Sequence, residues 1–188
     1  MENNQHSLWS NLQKTDSDRA FLLFFAPKHL RSAFTVIDLW NAELMDQLYM
    51  ITEPHMAMIR LQWWKDQLTQ MTQIDRPSYG GDQILMLPRL KKLMGDFSLT
   101  AQDFIAALEG VADGLTVYEG TDAQSFARYL LVHQGGLLRL KAKMIGVEDQ
   151  ALKVVEALGA VYGLMRGVYS LSAPQSQINV RGIFRDYF

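Results

Sequence analysis

The spacing of apolar residues most constrains the fold of this chain. They recur three and four apart through long windows, and alternating strand-like patterns are scarce. That spacing places apolar side chains on one face of an α-helix. Prolines and glycines cut the windows into elements. A short helix is expected over 18–25, ended at Ala26-Pro27 because proline disfavours helical geometry in the residue before it. Pro27 can open the next helix, where its missing N–H costs nothing. That helix runs to about Met50, with Leu30, Phe34, Ile37, Leu44 and Leu48 among its apolar positions.

Glu53-Pro54 starts a helix reaching about Gln73, with Met56, Ile59, Trp63, Gln67 and Met71 along one stripe. Residues 75–81 are rich in turn formers and read as a loop. A shorter helix is expected over 82–94, with Pro88 as an interior break. Thr100 is the expected N-cap of a helix ending near Tyr118. Residues 121–124 have the form of a capping box, opening a helix that reaches Ile145 and stops at Gly146. The last helix is expected over 148–171, with Pro174 beyond it. The ends, 1–15 and 175–188, are expected to pack loosely around one helical domain spanning 1–188.

Composition excludes several classes. With 188 residues and 48% hydrophobic content, the chain can bury a core and lies outside the disordered class. A net charge of −2 argues against a nucleic-acid partner, which calls for a basic surface. There is no cysteine, so disulfides and thiolate metal sites are excluded and a reducing cytoplasm fits. No window approaches the roughly 18 unbroken apolar residues of a membrane span, and no signal peptide is visible. The expected location is cytoplasmic, including the periphery of a membrane.

The chemistry-bearing residues concentrate in 38–66. Asp38 and Asn41 are three apart on one helix and share a face, and Glu43 and Asp46 share another. Carboxylates on adjacent turns can bind Mg²⁺, which takes one or two from protein and its other ligands from water and phosphate. They are equally the solvated face of an amphipathic helix. On the next helix Arg60 lies four before Trp64, so the guanidinium can grip a diphosphate and the indole can line an apolar tunnel. Core packing of Trp63 or Trp64 is the simpler reading. Gly135-Gly136 sits inside a strong helix pattern, where each glycine costs about 1 kcal/mol relative to alanine. Gly159, Gly163 and Gly167 repeat at spacing four, for close helix packing or for a lipid-sized groove. His133 reads as a core or groove histidine.

Taken together, Asp18-Arg19-Ala20-Phe21, Leu30-Arg31, Asn41-Ala42-Glu43-Leu44, Glu53-Pro54, Arg60-Leu61-Gln62-Trp63-Trp64 and Gln134-Gly135-Gly136 resemble the squalene/phytoene synthase family. The resemblance implies an all-α, isoprenoid-synthase-like helical bundle with a central cavity, shortened at the C-terminus. Active members condense two prenyl diphosphates head to head, using two Asp-rich motifs whose Mg²⁺ ions hold the diphosphates. The nearest equivalent of the first motif is 45–49, which keeps Asp46 alone, with Glu43 one turn earlier. The second falls after Arg166, where 167–175 contain no acid.

The resemblance therefore offers Asp46, Glu43 and Asp38 as candidate metal or diphosphate residues, with Asp113 as a further acid and Arg60 as the diphosphate anchor. Asn41, Trp63, Trp64, Gly135, Gly136, Tyr162 and Gly163 are the candidate cavity lining. Asn41-Ala42-Glu43-Leu44 with Arg60-Leu61-Gln62-Trp63-Trp64 looks most like a divergent branch that includes a respiratory complex I assembly factor. The expected role is then non-catalytic: binding an isoprenoid or other lipid, or assisting assembly of a respiratory complex, through a protein partner or a homodimer. The alternative is a Mg²⁺-dependent prenyltransferase with an atypical metal site.

Overall fold

The computed structural model describes residues 2–51, 53–71, 86–116 and 123–172. All the regular structure among them is helical: α1 (Glu2–Thr15), α2 (Ser17–Leu22), α3 (Arg31–Tyr49), α4 (Pro54–Gln70), α5 (Met86–Phe97), α6 (Ala101–Thr116), α7 (Ala123–Tyr129), α8 (Gly135–Met144) and α9 (Asp149–Ser172). Two single 3-10 turns, Leu23–Phe25 and Lys28–Leu30, join α2 to α3. The all-α fold class follows directly.

Helix boundaries obey local chemistry. The Asp16 carboxylate accepts the Arg19 backbone N–H at 3.1 Å and starts α2. Pro27 precedes the second 3-10 turn rather than opening α3 itself. Pro54 is the first residue of α4, where an N–H has no intrahelical use, and Pro88 falls near the start of the described part of α5. Thr100 and Asp103 cap α6 reciprocally: the carboxylate accepts the Thr100 N–H at 2.9 Å, and the hydroxyl accepts the Asp103 N–H at 3.3 Å. Gly146 ends α8 at φ +78°, a conformation that favours glycine. The loop over 75–81, the start of the capping box at Thr121, Pro174 and the tail from 175 lie outside the described residues.

Helix α3 runs through the core, burying Phe34, Ile37, Trp40, Leu44 and Leu48. Trp40 meets Trp64 of α4 and Phe104 of α6 edge to face, with ring centres 6.4 and 5.4 Å apart. Helix α4 buries Ala57, Leu61, Trp64 and Leu68; of the other stripe, Met56 and Ile59 are exposed while Trp63 and Met71 pack partly buried against the core. Both stripes have helical spacing, and only the position of Trp40 and Phe104 decides between them. Residues 2–15 form α1, which seats Leu8 and Leu12 in the core.

The segment expected as one helix from 121 to 145 contains a π-helical turn, Leu130–Gln134, between α7 and α8. It packs on α6 so closely that a Cβ on Gly110 would strike the His133 backbone. Helices α8 and α9 then cross at glycines: a Cβ on Gly159 would lie 2.7 Å from Gln134 O and from Gly135 Cα. From Val154 onward the outer face of α9 is apolar, with Leu158, Val161, Met165 and Val168 exposed.

Candidate functional site

Two cations from other helices hold Asp38. Lys141 Nζ of α8 donates to both its oxygens, at 2.6 and 2.7 Å, and Arg19 Nη1 of α2 donates to Oδ1 at 2.9 Å. Arg19 Nη2 donates to Gln134 Oε1 of the π turn at 2.8 Å. Arg19 Nε lies 3.3 Å from Asp16 Oδ2 without hydrogen-bond geometry and has no hydrogen bond among the described residues. Arg166 of α9 closes the set by donating to Asp16 at 3.0 Å.

Two carboxylates, Asp16 and Asp38, thus face three cations, Arg19, Lys141 and Arg166, a surplus of one positive charge. Burial opposes the charge on Arg19, but Asp38 and Asp16 outweigh it and hold the guanidinium above its ordinary range. Burial pulls the Lys141 ammonium below its ordinary range, with Arg19 adding to the effect and Asp38 opposing it.

This cluster forms the polar wall of a cleft of about 370 Å³. Leu22, Leu23, Ala26, Phe34, Leu137 and Leu138 line the rest, with Gly159 and Tyr162 from α9. The Tyr162 hydroxyl is buried and has no hydrogen-bond partner among the described residues. Burial pushes its ionisation upward, so it remains a neutral hydroxyl. A ligand with an apolar body and a negative or hydrogen-bonding head matches this lining.

A match to the squalene/phytoene synthase family model covers residues 12–168. The chain belongs to the squalene/phytoene synthase family. No curated protein and no solved structure matches it. The match begins in α1 and ends in α9, so the elements forming the cleft lie within the family region.

Family membership makes Mg²⁺ the natural test of the acids. Asp38 lines the cleft, but its oxygens are occupied by two cations. A metal ion there would displace Lys141 and Arg19 and leave both buried without their acid. Asp46 lies two turns on, about 12 Å along the helix axis at 1.5 Å per residue, and is exposed. Glu43 is half-buried and accepts Gln47 Nε2 at 3.1 Å. Burial raises its pKa, with Arg60, Gln47 and Arg89 opposing. Among the described residues no three His, Asp or Glu side chains are grouped to hold a metal ion. Asp38, Glu43 and Asp46 form no such group, so the described residues by themselves do not make up the family's metal cluster. The Asp113 side chain lies outside the described ones.

The remaining candidates are placed as follows. Arg60 donates to Gln47 Oε1 at 2.9 Å and stacks over Trp63, 4.7 Å from the ring centre. Trp64 is sealed in the core and donates Nε1 to the same Gln47 oxygen at 3.2 Å. Asn41 is buried, with Oδ1 unpartnered among the described residues. A Cβ on Gly135 would meet the Glu156 carbonyl at 2.6 Å, one on Gly136 the Ala107 Cβ at 3.0 Å, and one on Gly163 the Gln134 side chain at 2.6 Å. These glycines serve helix contacts, and neither they nor Asn41, Trp63 and Trp64 line the cleft around Asp38; Tyr162 does.

Sequence reasoning missed Arg19, Gln134 and Lys141 as site residues. The available signal was Lys141, which follows Leu137 and Leu138 by four and three on an otherwise apolar face. His133 is buried, with Nδ1 3.3 Å from Ala107 O and its pKa lowered by burial to about 4, so it is neutral.

Proposed function

We propose that this chain is a non-catalytic member of the squalene/phytoene synthase family that binds an isoprenoid or similar lipid in the Asp38 cleft. The observation carrying this reading is the commitment of Asp38. It is the carboxylate of the cleft lining, and it neutralises Lys141 and Arg19 rather than facing the cleft as a free ligand. Ionising a prenyl diphosphate requires compensation of a multiply charged leaving group, each opposite charge at ~4 Å contributing roughly 4 kcal/mol at a surface-like dielectric. Among the described residues no metal ligands are grouped to supply that compensation, and its loss costs many orders of magnitude in rate.

What the cleft retains suits binding: apolar walls, a net positive cluster and the unpartnered Tyr162 hydroxyl. The likeness of Asn41-Ala42-Glu43-Leu44 and Arg60-Leu61-Gln62-Trp63-Trp64 to a branch containing a respiratory complex assembly factor supports an assembly role for the lipid-loaded protein. That role is analogy of sequence.

The test is incubation of the purified protein with farnesyl diphosphate and Mg²⁺. Binding without diphosphate release is the expected result. Turnover that disappears in Asp46→Ala would overturn the reading and establish the prenyltransferase alternative.

A further inference from the structure

The link between α2 and α3 presents large apolar side chains to solvent. Phe21, Leu22, Phe24 and Phe25 are 61%, 45%, 55% and 76% exposed. Single exposed apolar residues are ordinary, but a contiguous group marks an interaction site. These are contiguous: Phe21 packs edge to face on Phe25 and Phe24, with ring centres 5.6 and 6.4 Å apart, and Phe24 on Trp9 at 5.8 Å. The display is also held in place. Arg31 donates Nε to the Ala26 carbonyl at 3.0 Å and Nη2 to the Phe24 carbonyl at 2.7 Å, tying the turn to α3.

Two features identify the occupant. The first is composition. Exposed phenylalanines beside a tryptophan, with Lys28 and Arg31 lining the same surface groove as Trp9 and Phe24, make an aromatic surface with a cationic margin. Aromatic rings settle at the membrane–water boundary, and lysines beside them favour anionic lipid. The second is continuity with the cleft. Leu22 belongs both to the exposed patch and to the cleft lining, and Ala26 of the lining directly follows Phe25 in the chain, so the patch forms one rim of the cleft.

We propose that Phe21, Leu22, Phe24 and Phe25 seat the chain on the surface of an anionic lipid bilayer, with the mouth of the cleft turned toward the lipid. No helix among the described residues is long and apolar enough to cross a membrane, so the contact is interfacial. Only the orientation of the cleft rests on the lipid-binding reading above; docking stands without it.

The test is flotation of the full chain with phosphatidylcholine vesicles, with and without phosphatidylglycerol. The double variant Phe21→Ser/Phe25→Ser changes two exposed rings, neither of which lines the cleft. Val161→Ser/Met165→Ser on the outer face of α9 is the comparator, and circular dichroism checks that both fold. The wild type is expected to float, most strongly with phosphatidylglycerol. The phenylalanine variant should lose at least about tenfold in partitioning, since burying one Phe is itself worth more than that. The α9 variant should float like the wild type.

Absence of wild-type flotation overturns the proposal, as does undiminished flotation of the phenylalanine variant or a loss confined to the α9 variant. A change in oligomeric state of the phenylalanine variant without any wild-type flotation assigns the patch to a second copy instead. Binding of a fluorescent farnesyl analogue in vesicle-free solution separates the two readings. Probe binding without flotation removes the docking site and leaves the lipid cleft. Flotation without probe binding does the reverse.

Discussion

Asp38 and Glu43 sit on the same helix, five residues apart, and the fold uses them differently. Asp38 is bound by Arg19 and Lys141, partners 19 and 103 residues away in sequence. Glu43 accepts its hydrogen bond from Gln47, one turn further along α3. Asp38 is buried and fastens α2, α3 and α8 together, while Glu43 is half-buried beside the Arg60–Gln47–Trp64 group. An acid held by distant cations is a structural joint and is costly to release. An acid held within its own helix is replaceable. A family metal site needs several acids of the second kind turned toward one point; on α3 Asp38 is spent as a joint, which leaves Glu43 and the exposed Asp46.

The largest effect should come from breaking the Asp38 joint. Asp38→Ala leaves Lys141 and Arg19 charged against a wall of leucines, and removing one partner of a buried pair typically costs about 3–5 kcal/mol. A lowered urea midpoint with an unchanged slope would report it. Adding Lys141→Met should recover part of the loss, because one of the two stranded cations is gone. If Asp38→Ala were no more damaging than Glu43→Gln, the contrast between the two acids would be lost.

That contrast also marks what could be read from sequence. Helical periodicity, Pro54, Thr100 and Gly146 are local signals, and the elements they delimit were legible to within a few residues. The buried positions of α3 were legible because Leu30, Phe34, Ile37, Leu44 and Leu48 form one unambiguous stripe. Helix α4 offers two stripes, and the choice depends on Trp40 and Phe104 from other helices. The candidate site depended still more on distant contacts. Asp38 was visible as an acid, but no local spacing announces Lys141 as its partner. The π turn that carries His133 and Gln134 lies within an ordinary helical pattern, and its close approach to Gly110 becomes visible only once α6 is in place.

A smaller effect is expected from moving the cleft wall without touching its charges. Gly159→Ala drives a Cβ into backbone atoms of Gln134 and Gly135, which cannot swing aside, and overpacking of this kind costs about 1–3 kcal/mol. Gly163→Ala meets chiefly the flexible Gln134 side chain and should cost less. It should instead weaken the Arg19–Gln134 hydrogen bond and shift lipid-probe affinity more than the unfolding midpoint. Equal losses of stability in both variants would mean that the wall is not positioned by the α8–α9 crossing.

The pH dependence of Glu43 separates the acids further. Burial raises its pKa in the folded protein, so folding favours the protonated form and the ionised form is penalised. Below the unfolded-state pKa the group is neutral in both states and there is no penalty. The penalty grows as pH rises through the folded-state value, then stays constant. Glu43→Gln keeps an acceptor for Gln47 and removes the penalty. Its stability should match the wild type in acid and exceed it at neutral pH, by no more than ~1 kcal/mol because the site is partly solvated. Urea titrations across that range read the crossover; a variant less stable at neutral pH would show that attraction to Arg60 outweighs burial.

Asp46 should give the smallest response, and for that reason it is the sharpest probe of chemistry. It is exposed, and a surface substitution away from caps and pairs usually stays within ~0.5 kcal/mol. Asp46→Ala is therefore expected to leave the unfolding midpoint and the affinity for a farnesyl probe unchanged, with or without Mg²⁺. If Mg²⁺ tightens diphosphate binding in the wild type and Asp46→Ala abolishes the gain, Asp46 is holding a metal ion. Its neighbour Glu43 would then have to ionise to assist, which would make the gain fall away in acid as Glu43 protonates. Stability measurements cannot detect that outcome, because an exposed acid with no distant partner can be lost without disturbing the fold.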